Sequence, residues 1–207
     1  MAHGRTVLNF GGGDGRRYGD ILPSAAGSYT VSDISTSVLE LRSSRGDATV
    51  HSSVLEGQSQ TYDLIVALEV LEHFLDPEAT LALLARKLAP AGVLLLGVPN
   101  AFYLVNRLRM LRGRLPASGV TGNGVRQQTY RAPHIRFFDL ASLFTLVKRT
   151  GLRVDEVSGH GIDAWRFRAR LPYRLLRYRA QLRLSFALLT SGYVVSCSLT
   201  GSAVNRR

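Results

Sequence analysis

Short apolar runs alternate with amphipathic segments along most of this 207-residue chain. Two of the runs, YDLIVAL at 62–68 and VLLLGV at 93–98, are apolar almost throughout, which is typical of strands covered on both faces. The alternation with helix-length segments predicts a three-layer α/β sandwich, in which helices cover both faces of a mostly parallel sheet. The runs predicted as strands are 6–10, 29–31, 48–51, 62–68, 93–98, 152–157 and 193–199.

Three of the amphipathic segments begin with residues that start helices. Ser35, Asp76 and Asp139 each precede a helical pattern and can cap its first turn with a side-chain oxygen. Asp76 is followed by proline, which is favoured at the first helical position. In the helix after Ser35 we expect Val38, Leu39 and Leu41 to lie on the apolar, buried side.

The length suits one core, and we expect residues 1–207 to form a single domain. The alternation is interrupted at 101–133, which begins as a basic amphipathic helix over 101–114 and continues as a loop rich in Gly, Ser, Thr and Gln. Residues 164–190 are rich in arginine, with apolar residues at helical spacing. They are predicted to form a basic amphipathic helical segment before the last strand.

The net charge of +11 is concentrated in the second half of the chain. Residues 1–100 carry seven basic and eleven acidic side chains, residues 101–163 carry ten and four, and residues 164–207 carry nine arginines and no acid. Such a basic half is either a solvated surface or a face for a membrane, a nucleic acid or an anionic substrate. Composition alone leaves these alternatives open.

No targeting signal is evident in the sequence. The amino-terminal residues contain no apolar stretch long enough for a signal peptide, and the single cysteine, Cys197, excludes a disulfide scaffold. The uncharged run at 184–205 contains many Ser, Thr and Gly residues and is too polar for a typical membrane span. We therefore expect a cytoplasmic protein.

A glycine cluster follows the first predicted strand directly. The sequence VLNFGGGDG at 7–15 places Gly11, Gly12, Gly13 and Gly15 where the backbone must turn sharply and can approach a ligand closely. Asp33 ends the second predicted strand, where an acid can accept hydrogen bonds from both hydroxyls of a ribose. The ordered pair indicates a nucleoside-containing cofactor, although Asp33 could instead cap the helix that follows.

Four segments in order resemble the class I S-adenosylmethionine-dependent methyltransferases. They are VLNFGGGDG at 7–15, YTVSDIS at 29–35, the stretch 61–100 with its Leu-Glu-His sequence, and HIRFFDLASLFTLVKRTGLRVDEV at 134–157. The resemblance implies a Rossmann-like fold with a seven-stranded sheet whose last strand alone is antiparallel, S-adenosylmethionine as cofactor, and 101–133 as an inserted substrate lid. Residues 99–157 are most similar to MetW-type proteins, which leaves open a cofactor-binding partner protein without turnover of its own.

The resemblance also assigns the cofactor residues. Gly11, Gly12, Gly13 and Gly15 would approach its methionine and ribose parts, Asp33 would bind the ribose hydroxyls, and Ile34 would lie against the adenine. Ser52 or Ser53 would replace the aspartate that the family usually has near the adenine amino group, and Glu69 would line the methionine end. Because the chain begins close to its first strand, the helix that usually covers this site is missing, and we expect either a more open site, a covering partner or a misassigned start.

Two histidines are candidates for the base that an oxygen nucleophile needs. His134 lies where the insertion rejoins the domain, and His73 belongs to the Leu-Glu-His stretch. A hydrogen bond that anchors a loop would equally explain His134, and a structural role at a helix end would explain His73. Tyr103, Arg107 and Arg136 are candidate substrate contacts. The sequence shows no metal-ligand cluster at a recognised spacing, so a metal is not expected.

The substrate predicted from these features is a small or lipid-linked molecule that is methylated at oxygen. A basic amphipathic helix at 164–190 could contact an anionic membrane peripherally, at the inner membrane face, or could equally pack on the sheet with its arginines outward. Nucleic acid is disfavoured as a partner, because no recognised binding module is present. The sequence leaves a homo-oligomer open.

Overall fold

The computed structural model describes residues 4–15, 26–114, 134–160, 170–172 and 190–201. Its strands are β1 (Thr6–Phe10), β2 (Ser28–Asp33), β3 (Ala48–His51), β4 (Tyr62–Leu68), β5 (Leu88–Pro99), β6 (Leu152–His160), β7 (Arg170–Pro172) and β8 (Gly192–Leu199). Its helices are α1 (Thr36–Ser44), α2 (Pro77–Arg86), α3 (Leu104–Met110) and α4 (Leu140–Arg149). Every strand predicted from the apolar runs is confirmed.

The strands form one sheet in the order β3-β2-β1-β4-β5-β8-β6-β7. β1 pairs in parallel with β2 and with β4, β2 with β3, and β4 with β5. β8 runs antiparallel to both β5 and β6, which confirms the predicted antiparallel last strand. The three-residue strand β7 adds an eighth, antiparallel strand at the edge beside β6, so the expectation of one antiparallel strand in seven was incomplete.

The predicted helix caps are confirmed. The Ser35 hydroxyl accepts from the Val38 N–H at 3.4 Å, and the Asp76 carboxylate accepts from the Ala79 N–H at 2.9 Å. The Asp139 side chain accepts from the Ser142 N–H, and the Ser142 hydroxyl accepts from the Asp139 N–H, which closes a capping box.

The buried side of α1 differs from its prediction. Leu39 is buried as expected, but Leu41 is 39% exposed. Arg42 takes the inner position, where its guanidinium pairs with Asp47 at 2.8 Å and donates to the Tyr29 hydroxyl at 3.1 Å. A buried arginine is tolerated here because both a charge partner and a hydrogen-bond acceptor reach it.

The core lies on both faces of the central strands. Leu8, Ile65, Leu94 and Leu96 are fully buried, and helices α2 and α4 close over the sheet with their own buried leucines. Burial on both faces explains why the two central strand sequences are apolar almost throughout. The core therefore fixes the carboxyl ends of β1 and β4 side by side.

The two basic segments are described only in part. Within 101–133 the helix is limited to Leu104–Met110, and residues 115–133 lie outside the described residues. Within 164–190 the predicted helix is wrong at Arg170–Pro172, which pairs with β6 as a strand, and most of the remainder lies outside the described residues. No helix in the described part of the chain is both long and apolar enough to cross a membrane.

The order of the strands reverses between β1 and β4. From β1 the chain proceeds outward through β2 and β3, then returns to the other side of β1 with β4. In open α/β sheets, ligands bind at the carboxyl ends of the strands where this reversal occurs. The glycine cluster after β1 and the turn after β4 both lie at that position.

Candidate active site

The glycine cluster forms a tight loop at the end of β1. The Gly11 N–H donates to the Ser32 carbonyl at 2.7 Å, and Gly11, Gly13 and Gly15 have φ values of 68°, 53° and 81°. At Gly11 a Cβ would lie 2.6 Å from a methyl group of Val70, whereas a Cβ on Gly13 would meet no atom within 4 Å. The loop is thus closely packed on the protein side and open where a ligand would approach.

Asp33 fastens this loop to the end of β2. One oxygen of its carboxylate accepts from the Gly13 N–H at 3.1 Å, and the other accepts from the Ser35 N–H at 2.9 Å. Both predictions for Asp33 therefore have a basis, because it braces the start of α1 and also lines the cleft. Each carboxylate oxygen retains a second lone pair that can accept from a hydroxyl of a ribose.

The adenine side of the cleft is partly as predicted. Ile34 lines the cleft and is 75% exposed, so an adenine ring would cover an apolar surface there. Ser53 is exposed and lies 2.7 Å from the His51 ring nitrogen Nδ1. The serine that lines the cleft is Ser52, whose hydroxyl lies 3.0 Å from that of Ser32.

The cleft has a volume of about 710 Å³, within the range of small-molecule sites. It runs from Gly11 and Asp33 past Glu69 to His73 and Leu75. Glu69 has a φ of 56°, a left-handed conformation that is unusual outside glycine and asparagine. Such strain at the end of β4 is typical of functional turns and directs the chain into the Leu71–His73 turn.

Three titratable side chains meet beside the cleft. The Oε1 atom of Glu72 lies 3.7 Å from Nε2 of His134 and 3.9 Å from Nε2 of His73, and the two imidazole rings meet edge to face with centroids 4.9 Å apart. The Glu72 side chain is fully buried, and His73 lines the cleft. The structure thus brings together the two predicted histidines and adds Glu72, the group here called the Glu-His-His cluster.

Burial shifts the pKa of two members of this cluster. Loss of solvation, together with the negative charge of Glu69, raises the pKa of Glu72 to about 7. Loss of solvation lowers the pKa of His134, and the neighbouring charge of His73 lowers it further. His134 is therefore neutral at pH 7 and keeps a lone pair that can take a proton or bind a cation.

The three candidate substrate residues lie in different places. Arg136 is at the rim of the cleft, where its guanidinium donates to the Leu75 carbonyl. The Arg107 guanidinium donates to the Phe102 carbonyl at 2.9 Å and lies over the Phe102 ring, so it is held within its own turn. Tyr103 is 9% exposed. Of the three, only Arg136 touches a residue that lines the cleft.

Sequence reasoning missed Glu72 and therefore missed the cluster. Glu72 was visible in the Leu-Glu-His stretch, but a lone acid after a strand indicates no particular partner. His134 reaches it because the Ile135 and Arg136 N–H groups donate to the Glu72 carbonyl at 3.0 and 3.1 Å. No recognised ligand spacing marks this group in the sequence, but the fold brings together three ligand atoms that lie within 4.8 Å of one another.

The fold and the cleft agree with comparisons to known proteins. A family model described as a methyltransferase domain matches residues 2–157. The chain belongs to this methyltransferase-domain family. The narrower resemblance to MetW-type proteins is not confirmed by these comparisons.

Curated relatives support the same family over part of the chain. A ubiquinone biosynthesis O-methyltransferase of Xanthomonas axonopodis pv. citri is 28% identical over 117 residues, which is 56% of this chain. A protein of the same description from Xylella fastidiosa is 30% identical over 121 residues. The match spans 46% of the length of each relative, so it is a partial one.

Solved structures share the fold at low sequence identity. The magnesium protoporphyrin IX methyltransferase of Synechocystis PCC 6803, solved with bound SAH, has a TM-score of 0.61 and 15% identity over 94% of this chain and 74% of its own. The TehB-like methyltransferase of Corynebacterium glutamicum has a TM-score of 0.58 and 16% identity, with 96% and 82% covered. These likenesses show a class I methyltransferase fold.

The residues of the cleft suit S-adenosylmethionine. The open side of Gly13 and the free lone pairs of Asp33 match a ribose, and the exposed Ile34 matches an adenine. When bound, the cofactor supplies an activated methyl group on a positively charged sulfur. The glycine loop and Asp33 would hold the cofactor in this cleft.

Gly11→Ala is expected to lower the free energy of unfolding by roughly 2–4 kcal/mol, because the new methyl group meets Val70 and the residue keeps a left-handed φ. Chemical denaturation measures this change. Gly46→Ala, which has a φ of 90° but no atom near the new Cβ, is the matched control and is expected to cost only about 1–2 kcal/mol. Equal losses for the two variants would contradict close packing at Gly11.

Glu72→Gln is expected to stabilise the metal-free protein at neutral pH. The folded-state pKa of about 7 lies above the unfolded value near 4.5, so the contribution of protonated Glu72 is complete below pH 4.5 and is lost as the pH rises through 7. Glutamine stays uncharged over this pH range, so the variant does not lose this stability as the pH rises. The variant's advantage should therefore grow from near zero at pH 4 to on the order of 3 kcal/mol at pH 8.

Urea unfolding at a series of pH values, with a chelator present, measures this difference. Glu40→Gln on the exposed side of α1 controls for the substitution itself. A constant difference between wild type and Glu72→Gln across this pH range would contradict the raised pKa of Glu72.

Proposed function

We propose that this protein transfers the methyl group of S-adenosylmethionine to an oxygen of a small or lipid-linked molecule. One observation carries the proposal. A single cleft connects the glycine loop and Asp33, which suit the cofactor, to His73 of the Glu-His-His cluster. The acceptor would lie between the bound cofactor and the Glu-His-His cluster, in the part of the cleft that is lined by His73 and Leu75.

The choice of oxygen rests on the cluster and on the curated relatives. A hydroxyl is a weak nucleophile until its proton is removed or its pKa is lowered, and an uncharged imidazole beside a buried carboxylate can assist with either. An amine with a free lone pair would need less help. The curated relatives are described as O-methyltransferases, which favours the same acceptor atom.

The rim of the cleft favours an apolar acceptor. Leu75 lines the cleft and is 80% exposed, and Ile135, whose N–H donates to the Glu72 carbonyl, is 42% exposed. Exposed apolar groups next to a cleft are typical of sites that bind an apolar ligand. A ring or chain with a hydroxyl group would cover them while its oxygen faces the cluster.

The proposal is tested by supplying methyl-labelled S-adenosylmethionine and fractionated cell extract to the purified protein. The expected result is one fraction whose product is a methyl ether, identified by mass spectrometry. Label on nitrogen or carbon would overturn the choice of oxygen. Cofactor binding without a labelled product in any fraction would overturn turnover and favour a cofactor-binding partner protein.

We propose in addition that helix α3 contacts an anionic membrane, where a lipid-linked acceptor would be met. The segment 164–190, for which this role was predicted, lies mostly outside the described residues. On α3 and the turn after it, Leu104, Val105, Leu108 and Leu111 are 42%, 47%, 44% and 84% exposed. Arginines lie among them at 107, 109, 112 and 114, which is the pattern of an interfacial helix.

The double variant Leu108→Asp/Leu111→Asp is therefore expected to lose at least about tenfold in binding to vesicles that contain an anionic lipid, because two exposed apolar side chains that would enter the membrane become negatively charged. Vesicle co-sedimentation at low salt measures the binding. Val54→Asp, at an exposed apolar position on another surface, is the control. Equal binding of the wild type to neutral and anionic vesicles would contradict the role of the arginines.

A further inference from the structure

We propose that Glu72, His73 and His134 form a binding site for one divalent transition-metal cation, of the Zn²⁺ class, in the wall of the cofactor cleft. The site stands on the geometry of these three side chains and does not depend on the acceptor. Its use in catalysis rests on the proposed function, since a cation there would act on an oxygen acceptor.

The distances within the Glu-His-His cluster fit a cation better than a hydrogen-bonded network. The Glu72 oxygen lies 3.7 Å and 3.9 Å from the two Nε2 atoms, which is too long for hydrogen bonds. All three ligand atoms lie within 4.8 Å of one another. Around a cation with bonds of about 2.0–2.1 Å, neighbouring ligand atoms are separated by roughly 3.0–3.5 Å, so small side-chain rotations would close the site.

The burial of Glu72 supplies a second, independent argument. Its side chain is fully buried, and neither carboxylate oxygen accepts a hydrogen bond from another of the residues that the structure describes. Burying a carboxylate is unfavourable when no hydrogen bond from another residue replaces those it made with water. A bound cation would remove this cost, and the nearby Glu69 carboxylate would add to the attraction.

The backbone holds the three ligands in place before any cation arrives. Glu72 and His73 belong to one tight turn, Leu71–His73, which follows the strained residue Glu69. The segment that carries His134 is attached to the same turn through two N–H groups that donate to the Glu72 carbonyl. A preformed ligand set of this kind loses little conformational entropy when it binds.

The donor atoms indicate the class of cation. Two imidazole nitrogens and one carboxylate oxygen suit Zn²⁺, Co²⁺ or Fe²⁺, whereas Mg²⁺ and Ca²⁺ prefer oxygen ligands. Three protein ligands leave coordination positions open, which is the arrangement of catalytic rather than structural sites. A substrate hydroxyl that occupies an open position would have its pKa lowered and would release its proton to solvent more readily.

The experiment uses the full chain, stripped of metal with a chelator and then separated from it. Zn²⁺ is titrated in competition with a chromophoric chelator, and Co²⁺ is titrated while its visible absorption is recorded. We expect one equivalent of each to bind, with Zn²⁺ at least about tenfold tighter than Mg²⁺. Absence of a one-to-one complex with Zn²⁺ and with Co²⁺, or tighter binding of Mg²⁺, would overturn the proposal.

Variants assign the binding to these side chains. Removal of a group that only hydrogen-bonds to a metal ligand lowers metal affinity about 10- to 100-fold. Glu72 and His134 are proposed as direct ligands, so Glu72→Gln and His134→Ala should each lower the affinity at least about 100-fold. His51→Ala removes a histidine outside the cluster and should bind Zn²⁺ as the wild type does. The urea unfolding of Glu72→Gln described above separates a loss of binding from a loss of the fold. Unchanged binding in both cluster variants would overturn the proposal.

Two further measurements separate this inference from the proposed function. A metal complex with no methylated product in any fraction would leave the site in place and overturn the oxygen methyltransferase. Full methyl transfer by metal-free protein in the presence of chelator would overturn the catalytic use of the cation while the proposed function stands.

Discussion

His134→Ala is expected to lower turnover at least about 10²-fold while cofactor affinity stays near that of the wild type. The imidazole is uncharged at neutral pH, because burial lowers its pKa, and its Nε2 atom faces Glu72 at 3.7 Å. Whether the imidazole takes a proton or binds a cation, its removal leaves the acceptor oxygen without assistance. Gly11, Gly13 and Asp33 are untouched by this change, so the cofactor should bind normally.

The measurement compares initial rates on the acceptor fraction with the affinity for S-adenosylhomocysteine from calorimetry. His51→Ala is the matched control for turnover at saturating cofactor, because His51 contacts the Ile34 carbonyl and Ser53 rather than the cluster. Unchanged turnover in His134→Ala, or a parallel loss of cofactor affinity, would contradict the assignment of His134 to the acceptor side. Recovery of activity with added imidazole would support a direct chemical role.

Asp33→Ala is expected to weaken cofactor binding by about 10²- to 10³-fold, because each hydrogen bond to a charged group contributes about 1.5–3 kcal/mol. The carboxylate also holds the Gly13 and Ser35 N–H groups, so the variant loses the brace of the glycine loop as well as the contact with the ribose. Calorimetric titration with S-adenosylhomocysteine measures the loss.

Asp33→Asn separates the two contributions. Asparagine can keep one of the two backbone contacts but lacks the charge, so its affinity should lie between that of Asp33→Ala and the wild type. Asp155→Asn, which loses only a surface pair with Arg153, is the control and should bind as the wild type does. Wild-type affinity in Asp33→Ala, with normal thermal unfolding, would contradict the cofactor site.

Much of the fold was predictable because local patterns report it. An apolar run such as 62–68 is typical of a strand covered on both faces, and it forms one. Asp76 and Asp139 cap their helices through contacts with N–H groups three residues further along the chain. The pattern of apolar residues mispredicted Leu41, which is exposed. Arg42, paired with Asp47, occupies the buried side of α1 instead. The helical spacing of apolar residues also mispredicted Arg170–Pro172, which pair with β6 as a strand.

The sequence by itself determined the cofactor side of this protein. The glycine loop and Asp33 follow consecutive strands and are hydrogen-bonded to each other or to neighbouring backbone groups. Their order along the chain was therefore sufficient to predict that they lie together. Only the tertiary structure decided the acceptor side. Glu72 and His134 are far apart in sequence, and they meet because the Glu72 carbonyl accepts from the Ile135 and Arg136 N–H groups beside β4. Contacts of that kind depend on the order of strands in the sheet, which no local pattern of residues records.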